Sequence, residues 1–163
     1  MVNWNIISKI LGSLLFIEAF FMSWCLVMAF SFAEDDTLAF LMSTLLTFSA
    51  AFIFLYFGRN AENALDRRDA YVVVTLAWIV FSFFGMFPFI FHGGILSVTD
   101  AFFETMSGFS TTGATILDDV EILPHASLFW RTQTQWIGGL GIVFFTIAIL
   151  PSMVTHRLKL ATR

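Results

Sequence analysis

Residues 100–115 have the sequence DAFFETMSGFSTTGAT, in which a short amphipathic segment is followed by a run rich in threonine and glycine. At helical spacing, one broad face of this segment carries Ala101, Phe102, Thr105, Met106 and Phe109. Ser97 lies three residues before Asp100, where its side chain can cap the first turn of a helix. Ten helical residues extend about 15 Å, which is half the hydrocarbon thickness of a bilayer. The stretch therefore predicts a half-length helix followed by an irregular strand.

Around this stretch lie four apolar segments long enough to cross a bilayer, at residues 10–32, 38–57, 71–91 and 128–150. The chain has 163 residues, of which 58% are hydrophobic and 12% charged, and its mean hydropathy of +0.85 excludes a soluble or disordered protein. All four segments should be helices, because lipid cannot hydrogen-bond an open backbone, and we expect the last to stop at Pro151. The first segment exceeds the core of about 7–15 residues in a signal peptide and contains Glu18, which favours a retained span.

The charged residues predict how the chain lies in the membrane. If the N-terminus is cytoplasmic, seven of the eight basic residues fall on the cytoplasmic side, namely Lys9, Arg59, Arg67, Arg68, Arg157, Lys159 and Arg163. Only Arg131 falls on the opposite, acidic side. Both termini are therefore expected in the cytoplasm. The net charge of −4 argues against a nucleic-acid partner, and the single cysteine, Cys25, excludes a disulfide framework within this sequence.

The segment between the third and fourth spans, residues 92–127, has the features of a re-entrant pore loop. Irregular backbone at membrane depth is tolerated only where it is buried in protein or lines a water-filled cavity. The C-terminus of the half-length helix carries partial negative charge, and Gly113 lets consecutive carbonyl groups turn toward one axis. A ring of such carbonyl oxygens can replace the hydration shell of a potassium ion. The segment therefore predicts a cation pathway.

The sequences TMSGFSTTGAT, at residues 105–115, and WRTQTQWIGGLGIV, at residues 130–143, resemble the first pore repeat of the Trk/Ktr/HKT superfamily of potassium transporters, most closely that of bacterial Trk membrane subunits. The resemblance implies an all-α polytopic membrane protein with four transmembrane helices, plus one re-entrant pore helix and filter loop between helices three and four. Residues 1–66 would form an N-terminal hairpin and residues 67–163 the first helix–pore loop–helix repeat. By resemblance, one quarter of the selectivity filter would come from Thr111, Thr112 and Gly113, and glycine at position 113 favours potassium over sodium.

The resemblance also implies the surroundings of the protein. Potassium would be the transported substrate, with no covalent cofactor, no metal beyond that ion and no enzymatic activity. The location would be the bacterial inner membrane. The expected partners are membrane lipid, the remaining pore repeats, a second copy in a homodimer and a cytosolic nucleotide-binding regulatory subunit.

The length of the chain departs from the superfamily pattern, in which four non-identical repeats share one polypeptide. One loop cannot surround an ion, and its carbonyl groups would face lipid at a cost of several kcal/mol each. The chain is therefore expected to be a fragment of a longer transporter, or else to assemble with other subunits. A truncated, non-conducting partner subunit is a further alternative.

An intramembrane hydrolase is the alternative from another class of protein. Gly108, Phe109 and Ser110 form a Gly-x-Ser sequence, for which His92 or His125 could serve as the base. Against this hypothesis, Ser110 is followed by Thr-Thr-Gly, without the second glycine of a nucleophile elbow.

Other polar and small residues have competing interpretations. For Glu18 we favour a hydrogen bond to a Ser or Thr of the second helix over a role in transport. For Arg131 we favour snorkelling or pairing with an acidic loop residue over repulsion of ions. Close helix packing, rather than hinge motion, is expected at Gly138, Gly139 and Gly141. Trp4 and Trp130 suit interfacial belts.

Two groups of polar residues remain. Cation attraction and simple solvation are equally compatible with the acidic loop residues Asp118, Asp119 and Glu121. The histidines lie near separate membrane edges and predict no metal site at His92, His125 or His156.

Overall fold

The computed structural model describes residues 2–61 and 67–161, with side chains described for residues 2–61 and 68–143. Within those ranges the regular structure is entirely helical. The helices, in chain order, are α1 (Trp4–Phe32), α2 (Thr37–Gly58), α3 (Arg67–Gly85), α4 (Phe87–His92), α5 (Val98–Phe109) and α6 (His125–Ala161). The predicted division into residues 1–66 and 67–163 falls at residues 62–66, which lie outside the described part, and it stays a prediction.

Three described helical stretches are long and apolar enough to cross a membrane: Trp4–Phe32, Thr37–Gly58 and Arg68–His92. The third consists of α3 and α4, which are separated by a turn at Met86. Pro88 lies in the first turn of α4, where its missing amide costs no intrahelical bond. The ring of Pro88 would also clash with the carbonyl of residue 84 in a continuous helix, which explains the break.

The fourth predicted span lies on α6. This helix begins at His125 and continues through Pro151 to Ala161, so the expected end at Pro151 was wrong. Proline is tolerated inside membrane helices, because neighbouring groups can satisfy the carbonyl that it leaves free. Side chains from residue 144 onward lie outside the described part, including His156, Arg157, Lys159 and Arg163. The fourth span therefore remains a prediction, and so do the positions of the C-terminal basic side chains on which the orientation rests.

Helices α1 and α2 form an antiparallel hairpin that approaches closely at two glycines. A Cβ atom added at Gly12 would lie 2.8 Å from the backbone nitrogen of Leu55, and one at Gly58 would lie 2.5 Å from the nitrogen of Lys9. The α1 helix starts at the cap Asn3, whose Oδ1 accepts from the amide of Ile6, and ends at Ala33 with φ +53°. Large exposed apolar side chains cover the outside of the hairpin, among them Phe30, Phe52 and Phe57.

One buried cluster joins α1, α2, α4, α5 and α6 and determines where the predicted re-entrant segment, residues 92–127, lies against the other helices. Its largest members include Phe40, Phe89, Phe109 and Trp130. Trp130 has no exposed surface, and its indole Nε1 donates to the carbonyl oxygen of Gly85 at 2.9 Å. The expected interfacial position of Trp130 was therefore wrong. Its N–H bonds a carbonyl at the end of α3, so the whole side chain can be buried.

Candidate functional site

The half-length helix predicted from the sequence is α5, which begins two residues earlier than expected, at Val98. Its N-cap is Ser97, whose Oγ accepts from the amide of Asp100 at 3.4 Å, so the predicted cap is confirmed. The predicted apolar face is also the packed one, since Ala101, Thr105 and Phe109 are fully or almost fully buried. Thr105 Oγ1 lies 2.9 Å from the carbonyl oxygen of Ser82, which ties α5 to α3.

After α5 the chain turns sharply through two residues with positive φ. Thr111 has φ +58° and Gly113 has φ +73°. Glycine adopts this region freely, whereas a side-chain-bearing residue pays roughly 1–2 kcal/mol there. The sequence analysis identified the turn at Gly113 but missed Thr111, because nothing in a Thr-Thr pair signals a left-handed conformation.

The amides of this turn point back at the end of α5. The N–H groups of Thr112 and Gly113 donate to the carbonyl oxygen of Ser107 at 3.0 and 3.3 Å. In a trans peptide the carbonyl points opposite to the N–H, so the carbonyl groups of Thr111 and Thr112 point away from α5. Residues 111–113 are exposed, and these oxygens therefore lie on an open side of the chain. The turn thus presents consecutive carbonyl oxygens that a cation can bind.

The strand after the turn is bonded to α5 through side chains. Ser107 Oγ donates to the carbonyl oxygen of Ala114 at 2.6 Å. Thr115 Oγ1 lies 3.1 Å from both carboxylate oxygens of Glu104, and the amide of Ile116 donates to Glu104 Oε2 at 3.2 Å. Three successive residues of the strand are therefore bonded to side chains of α5.

Arg131 completes this arrangement from α6. Its Nη2 lies 2.5 Å from Glu104 Oε1, and the exposed fractions of the two side chains are 15% and 1%. The expectation that Arg131 pairs with an acidic residue is confirmed, although the partner lies on α5 rather than in the outer loop. Glu104 was not among the site residues predicted from the sequence. The signal that could have identified it was the single basic residue on the acidic side of the membrane.

Glycines let α6 and α3 contact the C-terminal end of α5 directly. A Cβ atom added at Gly138 would overlap the carbonyl oxygen of Phe109, and one at Gly108 would overlap Thr134 Oγ1. At Gly85 an added Cβ would lie 2.9 Å from the ring of Phe109. The predicted close packing is confirmed for Gly138. At Gly139 and Gly141 the nearest atoms would be 3.9 and 3.8 Å away, which is ordinary contact.

Glu18 lies in the core without the partner expected for it. It is 1% exposed, and among the described residues neither of its carboxylate oxygens has a hydrogen-bond partner. The expected bond to a Ser or Thr of α2 is absent from that part of the chain, where Ser43 and Thr47 donate to carbonyl oxygens of their own helix and the buried Thr44 hydroxyl has no partner. Oε1 of Glu18 instead faces α3, 3.2 Å from where a Cβ of Gly85 would lie.

The hairpin and α6 are also joined at the end where α6 begins. Glu34 Oε2 accepts from the amide of His125 at 2.8 Å, and Glu34 Oε1 lies 2.6 Å from the imidazole Nδ1. The hydrogen bond from the His125 side chain holds the pKa of Glu34 below its ordinary value. Ser127 Oγ donates to Asp36 at 3.1 Å, whereas burial raises the pKa of that carboxyl. The described residues contain no group of three or more potential metal ligands.

The acidic loop residues Asp118, Asp119 and Glu121 are exposed, and Asp119 Oδ1 accepts from the amide of Glu121 at 3.0 Å. Ser110 has no catalytic arrangement within the described residues. Its Oγ lies 2.9 Å from Thr112 Oγ1 and donates to Ser107 O at 3.4 Å, while His125 is engaged by Glu34.

Comparison with known proteins agrees with this geometry. The sequence model of TrkH, described as a cation transport protein, matches residues 38–163. The Trk system potassium uptake protein TrkH of Halomonas elongata is 37% identical over 91% of this chain and 31% of its own length. TrkH of Salmonella typhimurium is 35% identical over 92% of this chain and 31% of its own length.

A solved structure has the same fold. The crystal structure of the potassium transporter TrkH from Vibrio parahaemolyticus superposes with a TM-score of 0.85 and 34% identity, covering 93% of this chain and 32% of that one. The chain spans about a third of the length of these relatives. The matched family is one of cation transport proteins, not of enzymes, so the hydrolase hypothesis is rejected. The chain belongs to the TrkH family of cation transport proteins.

Proposed function

We propose that this chain contributes one quarter of a potassium-selective filter, formed by Thr111, Thr112 and Gly113, to an uptake transporter of the Trk type. The observation that carries the proposal is the turn after α5. There the amides of Thr112 and Gly113 are bonded to Ser107, and the carbonyl groups of Thr111 and Thr112 point to the open side. Such oxygens can replace the water around a dehydrating ion. Translocation of this kind requires no covalent cofactor.

The remainder of the pathway must come from further pore loops. One turn binds an ion from one side only, and several more are needed to replace a complete hydration shell. The relatives are about three times as long as this chain, which supports the proposal that it is the N-terminal part of a four-repeat transporter. Residues 1–66 then form the accessory hairpin and residues 67–163 the first repeat. A homodimer and a cytosolic nucleotide-binding regulatory subunit complete the proposed assembly.

The proposed location is the bacterial inner membrane, with four spans and both termini in the cytoplasm. The support for this orientation is the excess of basic residues on one side of the spans. A reporter fused near Lys159 that is active only in the cytoplasm would agree with it. Periplasmic activity of the same fusion would reverse the orientation.

The filter assignment is tested at Gly113, in the protein expressed from its own gene in a strain deficient in potassium uptake. Gly113→Ser should reduce the ratio of rubidium to sodium uptake about tenfold or more, because a side chain in the left-handed region shifts the adjacent carbonyl groups. Gly113→Asp should abolish uptake, since it also introduces a carboxylate.

Gly93 provides a matched control for this test. It has φ +80° and, like Gly113, no atom within 4 Å of an added Cβ, but it lies in the turn after α4. Gly93→Ser should therefore retain the wild-type uptake ratio. An unchanged ratio in Gly113→Ser would contradict the filter assignment. Correct membrane insertion of the wild type without any ion uptake would instead indicate the non-conducting partner subunit.

A further inference from the structure

We propose that Glu104, held by Arg131, is a specificity-determining positioning residue, which fixes the strand after the filter and restricts the ion-binding carbonyl groups of this repeat to residues 111–113. The inference rests on the proposed function. We call Glu104, Ser107 and Arg131 the strand anchor. None of the three has to touch the ion, since they act on the backbone that carries the ligands.

The carbonyl group of Ala114 has a direction fixed by Ser107. Ser107 Oγ donates to the carbonyl oxygen of Ala114 at 2.6 Å, so that oxygen points at α5. It is thereby turned in the direction opposite to the carbonyl groups of Thr111 and Thr112. The strand continues past Gly113 without adding another carbonyl ligand at Ala114, and the row of carbonyl ligands in this repeat ends at Gly113.

The next two residues of the strand, Thr115 and Ile116, are bonded to Glu104. Glu104 binds the hydroxyl of Thr115 with both carboxylate oxygens and the amide of Ile116 with Oε2. The hydroxyl of Thr115 is therefore engaged by Glu104 rather than by an ion. The amide of Leu117 donates to that same Oγ1 at 3.1 Å, so the bonded run extends one residue further.

The negative charge of Glu104 is compensated by Arg131. A carboxylate on a side chain that is only 1% exposed needs a compensating cation. Arg131 of α6 supplies one, since its Nη2 lies 2.5 Å from Glu104 Oε1. Without Arg131, the carboxylate would be buried with no compensating charge, which is strongly unfavourable, so it would not be held in place as the acceptor for Thr115 and Ile116. Arg131 thus maintains the acceptor that the strand requires.

Behind the strand, Ala114 lies next to the side chains of the strand anchor. A small pocket between α5 and α6 is lined in part by Glu104, Ser107, Ala114, Arg131 and Gln135. A strand released from the anchor is no longer held against α5 and can shift. Such a shift moves the carbonyl groups of residues 111–113, and a small displacement of these oxygens alters how well they fit potassium relative to the smaller sodium ion.

The experiment compares Glu104→Gln, Arg131→Gln and the double variant, each expressed from the protein's own gene in a strain deficient in potassium uptake. The readout is the ratio of rubidium to sodium uptake, which is independent of the amount of protein in the membrane. Each single variant leaves one buried charge unpaired and should lower the ratio about tenfold or more. The double variant has no unpaired charge, and the side-chain amide oxygen at position 104 can still accept from Ile116. Its ratio should therefore recover to within about threefold of wild type.

Asp35→Asn is the control for simple loss of an acidic group, because Asp35 is exposed in the turn between α1 and α2, far from the anchor in sequence. It should keep the wild-type ratio. Single variants that show less total uptake at an unchanged ratio would overturn the proposal, because the pair would then serve folding alone. Failure of all three variants to reach the membrane would overturn it as well. A wild type that takes up both ions equally would instead contradict the proposed function, before any variant is considered.

Discussion

The N-terminal hairpin and the predicted re-entrant segment satisfy their polar side chains differently. In the hairpin the hydroxyl groups of Ser13, Ser23, Ser43, Thr47 and Ser49 all reach carbonyl oxygens of their own helix. Around α5, polar side chains reach across elements, as Ser107 does to Ala114 and Trp130 to Gly85. A hydroxyl that bonds its own helix does not depend on the neighbouring element, whereas one that bonds across elements fixes a relative position. The re-entrant segment should therefore tolerate far fewer substitutions than the hairpin.

The largest effect is expected where α6 meets the end of α5. Gly138→Ala places a Cβ against the carbonyl oxygen of Phe109 and should cost about 3 kcal/mol or more, because backbone must move. Gly141→Ala, three residues further on, meets Trp78 only at 3.8 Å. It should stabilise α6 slightly, through the higher helix propensity of alanine.

Thermal unfolding of the two purified variants, with potassium present, measures this difference. An equal loss of thermal stability in both variants would show that glycine is needed along α6 for a reason other than contact with α5.

A matched pair of serines tests the comparison more directly. Ser107 and Ser43 are both buried and donate to carbonyl oxygens at 2.6 and 2.7 Å, but Ser43 bonds Ala39 of its own helix. Ser107→Ala leaves the Ala114 carbonyl without this donor, which should cost about 1–3 kcal/mol and lower the ratio of rubidium to sodium uptake. Ser43→Ala should change stability by less than about 0.5 kcal/mol, since the Ala39 carbonyl keeps its helical amide.

Denaturation in detergent and the uptake ratio together distinguish the two serines. If Ser43→Ala proved as costly as Ser107→Ala, the proposed difference between the two regions would be wrong.

The smallest effect is expected at the link between the hairpin turn and the start of α6. The pKa of Glu34 is lowered from 4.5 by its bond to His125, so ionised Glu34 stabilises the folded protein above about pH 4.5. This contribution is lost as the pH falls through the lowered pKa, where Glu34 becomes protonated in the folded state as well. Glu34→Gln should therefore lower stability by about 0.5 kcal/mol at neutral pH, because a solvent-accessible pair is screened.

When unfolding is followed across pH, the difference between Glu34→Gln and wild type should disappear once the pH falls below the lowered pKa of Glu34. Asp35→Asn, one residue away and exposed, is the control and should show no such pH dependence. A difference that persisted at low pH would mean that the link depends on the shape of the side chain and not on its charge.

Much of the fold could be predicted from the sequence, because lipid permits few structures and long apolar runs are unambiguous. The helix predicted at residues 100–109, its Ser97 cap and its buried face followed from spacing, although the structure starts this helix at Val98. What could not be predicted depends on contacts between distant residues. The pairing of Glu104 with Arg131 joins two separate helices, and the burial of Trp130 depends on a carbonyl at Gly85. The continuation of α6 past Pro151 escaped prediction for a related reason, since surroundings decide whether a proline ends a membrane helix.

Under the proposed function, the contact between Gly138 and Phe109 also constrains how the transporter can open. Backbone meets backbone at this point, with no flexible side chain between them to absorb a displacement. If α6 tilts or rotates at the level of Gly138, it carries the end of α5, and with it the turn at residues 111–113. A gate that opens while the ion sites keep their shape must therefore bend α6 beyond Gly138, toward the C-terminal end, or use other helices. Under that function, the part of α6 up to Gly138 would hold the ion sites in shape, and opening would fall to its C-terminal part or to other helices.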